Sequence, residues 1–222
     1  VNNILTRRYA EDATKDAYSK VARFYNLWSW LTESKAAKRV VELAEITDGE
    51  RILEVAVGTG LVFAEIVRRN KNGVSDGLDL SPDMLRKAER RMKDYPKERY
   101  QLHVGNAYRL PFDSNTFDLV VNNFMLDLLP EEDFVAVLSE FKRVLKPQGR
   151  IVLSTMSFGT RWYNRIWDWL SMHLPSLLTG CRPVTMSRYL MQAGFDSIQS
   201  EYISQNTFPS EVVKARATSN FS

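Results

Sequence analysis

Apolar positions along the chain follow a helical period first, then alternate between strand-like runs and helical stretches. From Ala13 to about Leu31 the spacing predicts a helix rich in aromatics: Tyr18, Phe24, Tyr25, Trp28 and Trp30. A second helix is predicted over Ser34 to Ile46, ended by Thr47-Asp48-Gly49. Arg51 to Val57 then reads as a buried strand, followed by Gly58-Thr59-Gly60 and a helix over Leu61 to Arg69. Val74 to Leu80 is a second strand. Ser81 caps the next helix, with Pro82 suited to its first turn and Met84, Leu85, Ala88 and Met92 on one face. Tyr100 to Gly105 and Phe117 to Asn122 are strands three and four. An amphipathic helix over Glu131 to Leu145 is stopped by Pro147 and Gly149, and Arg150 to Met156 is strand five.

Residues 157–187 break this rhythm and read as an aromatic, loop-prone insertion. A short helix at Arg188 to Ala193 follows. Two last strands, Phe195 to Ser204 and Glu211 to Thr218, read as an antiparallel hairpin on the sheet edge. Alternating strands and helices predict an α/β fold with a mainly parallel sheet covered on both faces. Right-handed crossovers leave few topologies for it.

A length of 222 residues suits a single domain, 1–222, with room for a lid but not for a second domain. The composition, 44% hydrophobic and 26% charged, excludes a disordered or collagen-like chain. Lys and Arg number 30 against 27 Asp and Glu, and a net charge of +3 gives no case for a nucleic-acid partner. The one cysteine, Cys181, cannot form an intrachain disulfide, so a reduced, cytoplasmic setting is expected. No apolar run approaches the ~20 residues that span a bilayer. The first residues, VNNILTRRYAED, lack the apolar core of a signal peptide.

The chemistry gathers at the first strand-to-helix loop. Small residues at the carboxyl end of a strand let a ligand approach the backbone, and the next helix offers free N–H groups. Asp79 ends the second strand, where an acid can accept hydrogen bonds from both hydroxyls of a ribose. Loop and acid together point to an adenosine-containing cofactor. The order Ala56-x-Gly58-x-Gly60-Leu61 fails the G-x-G-x-x-G dinucleotide fingerprint, and no Gly-Lys-Ser/Thr follows for a P-loop.

Four segments in order, LEVAVGTG, GLDLSPDMLRKAERR, GNAYRLPFDSNTFDLVVNNFMLDLLP and RVLKPQGRIVLSTM, resemble the motifs of class I S-adenosylmethionine-dependent methyltransferases. The resemblance is nearest to the group of ubiquinone/menaquinone-biosynthesis and phospholipid methyltransferases, and is strongest over Arg51 to Met156. It implies a Rossmann-like sheet of seven strands and S-adenosyl-L-methionine as cofactor. Glu54 would lie near the methionine end of that cofactor. Ala56, Gly58, Thr59 and Gly60 would form the loop against it. Asp79 would bind the ribose, Leu80 and Met84 would flank the adenine, and Asn106-Ala107 would meet its amino group. Asn122 and Asn123 would face the reacting methyl. Ala56 stands where the family usually has glycine, which implies a slightly less close approach. Asn106 replaces the usual aspartate, but its carbonyl can still accept a hydrogen bond.

Methyl transfer from a sulfonium needs alignment above all, and a base only where the acceptor must lose a proton. No metal is expected, because the His and Cys residues have no ligand spacing. Candidate acceptor-site residues are Tyr18 and Tyr25 in the leading helix, Asp127 after the fourth strand, and His173 in the insertion. Each also has a packing, capping or surface reading. His103 reads as structural, and Arg86-Lys87…Arg90-Arg91 as a solvated helix face. All five tryptophans lie in the leading helix or the insertion, so residues 13–46 and 157–187 are expected to form a lid enclosing a small apolar or aromatic acceptor. A self-packed cap and a peripheral membrane contact are the other readings of WYNRIWDW. An RNA or protein methyltransferase, an inactive methyltransferase-like binding module and a dinucleotide oxidoreductase are the alternative functions.

Overall fold

The structure, a computed structural model, describes residues 32–173 and 181–218. The predicted leading helix lies outside these residues, and with it Tyr18, Tyr25, Trp28 and Trp30.

The described chain runs α1 (Ser34–Leu43), β1 (Arg51–Val55), α2 (Leu61–Arg69), β2 (Val74–Asp79), α3 (Pro82–Arg91), β3 (Tyr100–Val104), β4 (Phe117–Asn123), α4 (Phe134–Val144), β5 (Leu145–Met156), α5 (Arg165–His173), α6 (Ser187–Gln192), β6 (Phe195–Gln205) and β7 (Phe208–Ala217). The seven strands form one sheet in the order β3-β2-β1-β4-β5-β7-β6. The first five are parallel, while β7 pairs antiparallel with both β5 and β6. Strand order reverses beside β1, and the crevice at the carboxyl ends of β1 and β4 is where ligands bind in open sheets of this kind.

Alternation along the central strands divides the core between two faces. Ile52, Leu119, Val121 and Val152 pack with Val40 and Val41 of α1 and Val62 and Ile66 of α2. Leu53, Val55, Val120, Ile151 and Leu153 pack with Phe134, Val137, Leu138 and Phe141 of α4 and Leu190 of α6. A smaller cluster, Phe63, Val67, Leu85, Ala88 and Met92, joins α2 to α3. At ~25 cal/mol per Å² buried, these two apolar layers supply the main drive for folding.

Boundaries differ from expectation where backbone signals compete. α1 stops at Leu43 rather than Ile46, because Glu45 turns left-handed (φ 45°) and Arg150 binds the exit: its Nε donates to the carbonyl of Ala44 at 2.6 Å. Arg150 also pairs with Glu50 at 2.7 Å, both groups largely buried. Residues 131–133 form a 3-10 turn ahead of α4. Pro147 and Gly149 do not stop α4. It ends at Val144, β5 starts at once, and both residues sit in a bulge between the pairs Phe117–Leu145 and Leu119–Arg150. The insertion is not wholly loop, since it contains α5. The final hairpin turns on Asn206 and Thr207, both left-handed (φ 48° and 70°), as a tight two-residue turn requires. The edge strand is β6, with β7 inside it.

Candidate functional site

Strand β1 runs out at Val55 into a loop with three left-handed residues: Ala56 (φ 62°), Gly58 (φ 53°) and Gly60 (φ 77°). An L-residue pays roughly 1–2 kcal/mol for this region, so Ala56 holds its place under strain while the two glycines do not. The glycines have separate tasks. A Cβ on Gly60 would lie 2.9 Å from Cβ of Ala88, so Gly60 lets α3 pack against the loop. A Cβ on Gly58 would meet nothing within 4 Å, so that side of the loop is open to a ligand. The carbonyl of Thr59 accepts from Nε of Arg91 at 2.9 Å. Arg91, read as solvated charge, therefore ties the loop to α3.

Asp79 closes the loop from β2. One carboxylate oxygen accepts from the Gly58 N–H and the other from the Ser81 N–H, each at 2.8 Å. Burial raises its pKa, and the N–H groups of Ser81, Gly58 and Leu80 partly offset that. The carboxylate keeps acceptor capacity for a ligand hydroxyl.

Glu54 is one pleat below, almost wholly buried. Its carboxyl is pushed well above the usual range by burial and by the like charge of Asp79, and held back by a hydrogen bond from Asn123. Nδ2 of Asn123 donates to Oε1 of Glu54 at 3.4 Å, and Oδ1 of Asn123 accepts from the Ser154 hydroxyl at 3.0 Å. Among the described residues, Oε2 of Glu54 has no hydrogen-bond partner. Asn122 points to the opposite face, where Nδ2 donates to the Val55 carbonyl at 2.9 Å and Oδ1 is buried with no partner among the described residues. The two asparagines thus divide between the faces. Ser154 was missed by sequence reasoning, though a Ser-Thr pair in the otherwise apolar run IVLSTM was the available signal.

The remaining expected positions lie on α3 and in the loops that follow β2 and β3. Met84 is buried in the first turn of α3, Leu80 is half-buried beside Asp79, and Ala107 packs in the core. Oδ1 of Asn106 accepts from the Tyr108 N–H at 3.0 Å.

Asp127 and His173 are not brought into the row. Asp127 is wholly buried, with Oδ2 accepting from the Met156 N–H at 2.9 Å. Burial raises its pKa to about 7, against the opposing effects of that N–H, Cys181 and Arg182. It joins the loop after β4 to the end of β5 and to the returning limb of the insertion, whose Arg182 N–H donates to the Asp127 carbonyl at 3.3 Å. His173 lies exposed at the end of α5, stacked on Trp169, with Nδ1 2.9 Å from the Trp169 carbonyl oxygen. His103 is structural, bonded to Asp76 at 2.8 Å.

Next to the polar row, Phe124, Met156, Phe208 and Cys181 form an apolar wall, joined by the half-buried Leu128, Trp167 and Leu170. Trp167 packs edge-on to Phe208 with ring centroids 5.2 Å apart, and its Nε1 donates to Thr207 Oγ1 at 3.0 Å. Phe158, Trp162, Ile166 and Trp169 of the same insertion are exposed, Trp162 at 85%. Among the described residues there is no cluster of three or more His, Cys, Asp or Glu suited to a metal, and no helix long and apolar enough to cross a membrane.

Residues 52–149 match the model of a family described as a methyltransferase domain. Demethylmenaquinone methyltransferase of Bacillus subtilis is 33% identical over 136 residues, covering 61% of this chain and 58% of that protein. The corresponding protein of Staphylococcus saprophyticus is 32% identical over 152 residues, 68% of this chain and 64% of its own length. The match thus spans about three fifths of the length of these curated relatives. Among solved structures, the 1,6-didemethyltoxoflavin N1-methyltransferase of Burkholderia thailandensis, bound to 1,6-didemethyltoxoflavin and S-adenosylhomocysteine, superposes with a TM-score of 0.73 at 15% identity. That similarity covers 96% of this chain and 90% of the other, and shows a shared fold. Residues 52–149 thus match a methyltransferase-domain family within the 3-2-1-4-5-7-6 sheet, and over about three fifths of its length the chain is similar to demethylmenaquinone methyltransferases.

Proposed function

We propose that this chain transfers a methyl group from S-adenosylmethionine to a small, apolar or aromatic acceptor of quinone-, lipid- or aromatic-metabolite type. The observation that carries the reading is the row of hydrogen-bond acceptors at the switch point, set between an open glycine loop and an apolar wall. The cofactor presents donors: an ammonium group, two ribose hydroxyls and an adenine amino group. The protein offers matching acceptors, including Oε2 of Glu54, which is buried without a partner among the described residues. An unpaired buried acceptor costs ~1–3 kcal/mol, and a donor that reaches it recovers that energy.

When bound, the cofactor supplies an electrophilic methyl group on a sulfonium. This chain's residues then have three tasks. Asp79 holds the ribose and keeps the loop closed through Gly58. Glu54 and Asn123 orient the methionine end. Phe124, Met156, Phe208 and Trp167 line the acceptor's approach and exclude water, which favours in-line alignment over hydrolysis. We further infer that the described parts of the insertion, 157–173 and 181–187, act as a lid, since the insertion leaves from the carboxyl end of β5. The names of the relatives support a quinone-like ring as the first acceptor to try.

Calorimetric titration with S-adenosylmethionine, S-adenosylhomocysteine and NADH tests the cofactor. Binding of either adenosyl ligand without NADH binding is expected, and the reverse overturns the reading. Radiolabelled methyl transfer to demethylated quinones, lipids, small aromatics, RNA and protein then tests the acceptor. Label appearing only in RNA or protein overturns the acceptor class.

A further inference from the structure

Glu54 lies on β1, Asn123 on β4 and Ser154 on β5, and their side chains share one face of the sheet. Asn123 and Ser154 are direct register partners. An amide has two nearly isosteric ends, so its direction is set by its neighbours. Against an ionised Glu54, Asn123 must present Nδ2, and its Oδ1 then needs a donor. The Ser154 hydroxyl, fully buried, is that donor at 3.0 Å. All donors then point toward Glu54: Ser154 to Asn123, and Asn123 to Oε1 at 3.4 Å. If Glu54 is protonated the order can reverse, with the carboxyl O–H donating to Oδ1 and Nδ2 donating to the Ser154 oxygen.

We propose that Ser154 is a positioning residue, which through Asn123 aims Glu54 and favours its carboxylate form, and so tunes affinity for the cationic methionine end of the cofactor without touching it. The relay presupposes the cofactor reading above. Burial and the like charge of Asp79 both oppose ionisation of Glu54, and Asn123 is the one group of the described residues that favours it. A cation arriving at Oε2 therefore draws a proton off Glu54. Affinity should rise with pH, and binding should release a proton into the buffer.

The test compares Ser154→Thr with Ser154→Val, which add nearly the same volume and differ in the hydroxyl. S-adenosylhomocysteine affinity is measured by calorimetry from pH 6 to 9, in two buffers of different ionisation enthalpy to count protons. Ser154→Val should bind roughly 5- to 20-fold more weakly than Ser154→Thr at pH 7, the size expected for a hydrogen bond felt through a charged group. The gap should narrow as pH rises and Glu54 becomes ionised in both proteins. A gap independent of pH, or none at all, overturns the relay, since a purely structural serine has no reason to act through a titration. Glu54→Gln should abolish both the pH dependence and any further effect of Ser154→Val. If Glu54→Gln and Asp79→Asn both leave binding intact, the cofactor reading itself fails, a result distinct from failure of the relay. Should the β-branched variants not fold, Ser154→Ala carries the same pH signature.

Discussion

Replacing Asp127 with asparagine should make the protein more stable at pH 8 relative to wild type than it is at pH 5. The carboxyl is wholly buried, and its pKa is raised from 3.8 to about 7. The native state therefore keeps a proton that the unfolded chain has already lost between pH 4 and 7. Because the folded state binds more protons over that window, stability falls as pH rises through it. A shift of about 3 units corresponds to a maximum of about 4 kcal/mol, of which about 3 kcal/mol falls between pH 5 and 8. Asparagine has the same shape, can still accept the Met156 N–H and does not titrate. Its extra amide protons near Cys181 add an offset that does not vary with pH. Urea denaturation of both proteins at pH 5, 6, 7 and 8, followed by circular dichroism, measures the difference. The mutant-minus-wild-type stability should climb by about 3 kcal/mol across the series. Parallel pH profiles would refute the argument and would mean that Asp127 is charged at every pH tested.

Four further outcomes follow from the loop and the insertion. Gly60→Ala places a Cβ 2.9 Å from Cβ of Ala88 at φ 77°, so it should lower stability by about 2–4 kcal/mol, read as a fall in the thermal midpoint. Ala56→Gly relieves a left-handed alanine and should stabilise the fold by about 0.5–1 kcal/mol in the same assay, a drop counting against strain at this site. Trp167→Ala removes a packed ring and its bond to Thr207 and should destabilise by about 2–4 kcal/mol. Trp162→Ala, at an exposed position, should leave the midpoint and S-adenosylhomocysteine affinity unchanged while reducing acceptor turnover. Full turnover in Trp162→Ala would remove that ring from the lid.

Structural detail also changes how Asp79 must be probed. Truncation to alanine would strand the N–H groups of Gly58 and Ser81 as well as any ribose contact, so lost binding and lost folding would be mixed. The sequence put the acid at the end of the second strand but gave no sign of its two backbone hydrogen bonds. The same applies to Gly58: no side chain blocks a Cβ there, so a substitution acts through backbone strain or through the ligand, and Gly60 is the position that packing forbids.

By itself the sequence determined the kind and order of the elements, the parallel sheet, the terminal hairpin and the glycine loop with its acid. Those are local properties: apolar period, capping residues and turn chemistry act over a few neighbouring positions, and α2 at Leu61–Arg69 matches its predicted span. Tertiary structure alone decided which polar groups meet. Glu54 and Asn123 are 69 residues apart, and Asn123 and Ser154 are 31 apart. They touch because β1, β4 and β5 are neighbours in the sheet, an order set by burying both of its faces and leaving no trace at any one position. For the same reason Asp127 and Asp79, alike as letters, part company: one is sealed under the insertion and protonates near neutrality, the other is held by two backbone N–H groups at the open loop. Burial and hydrogen-bond geometry separate two identical carboxyls, and both quantities exist only once the chain has packed.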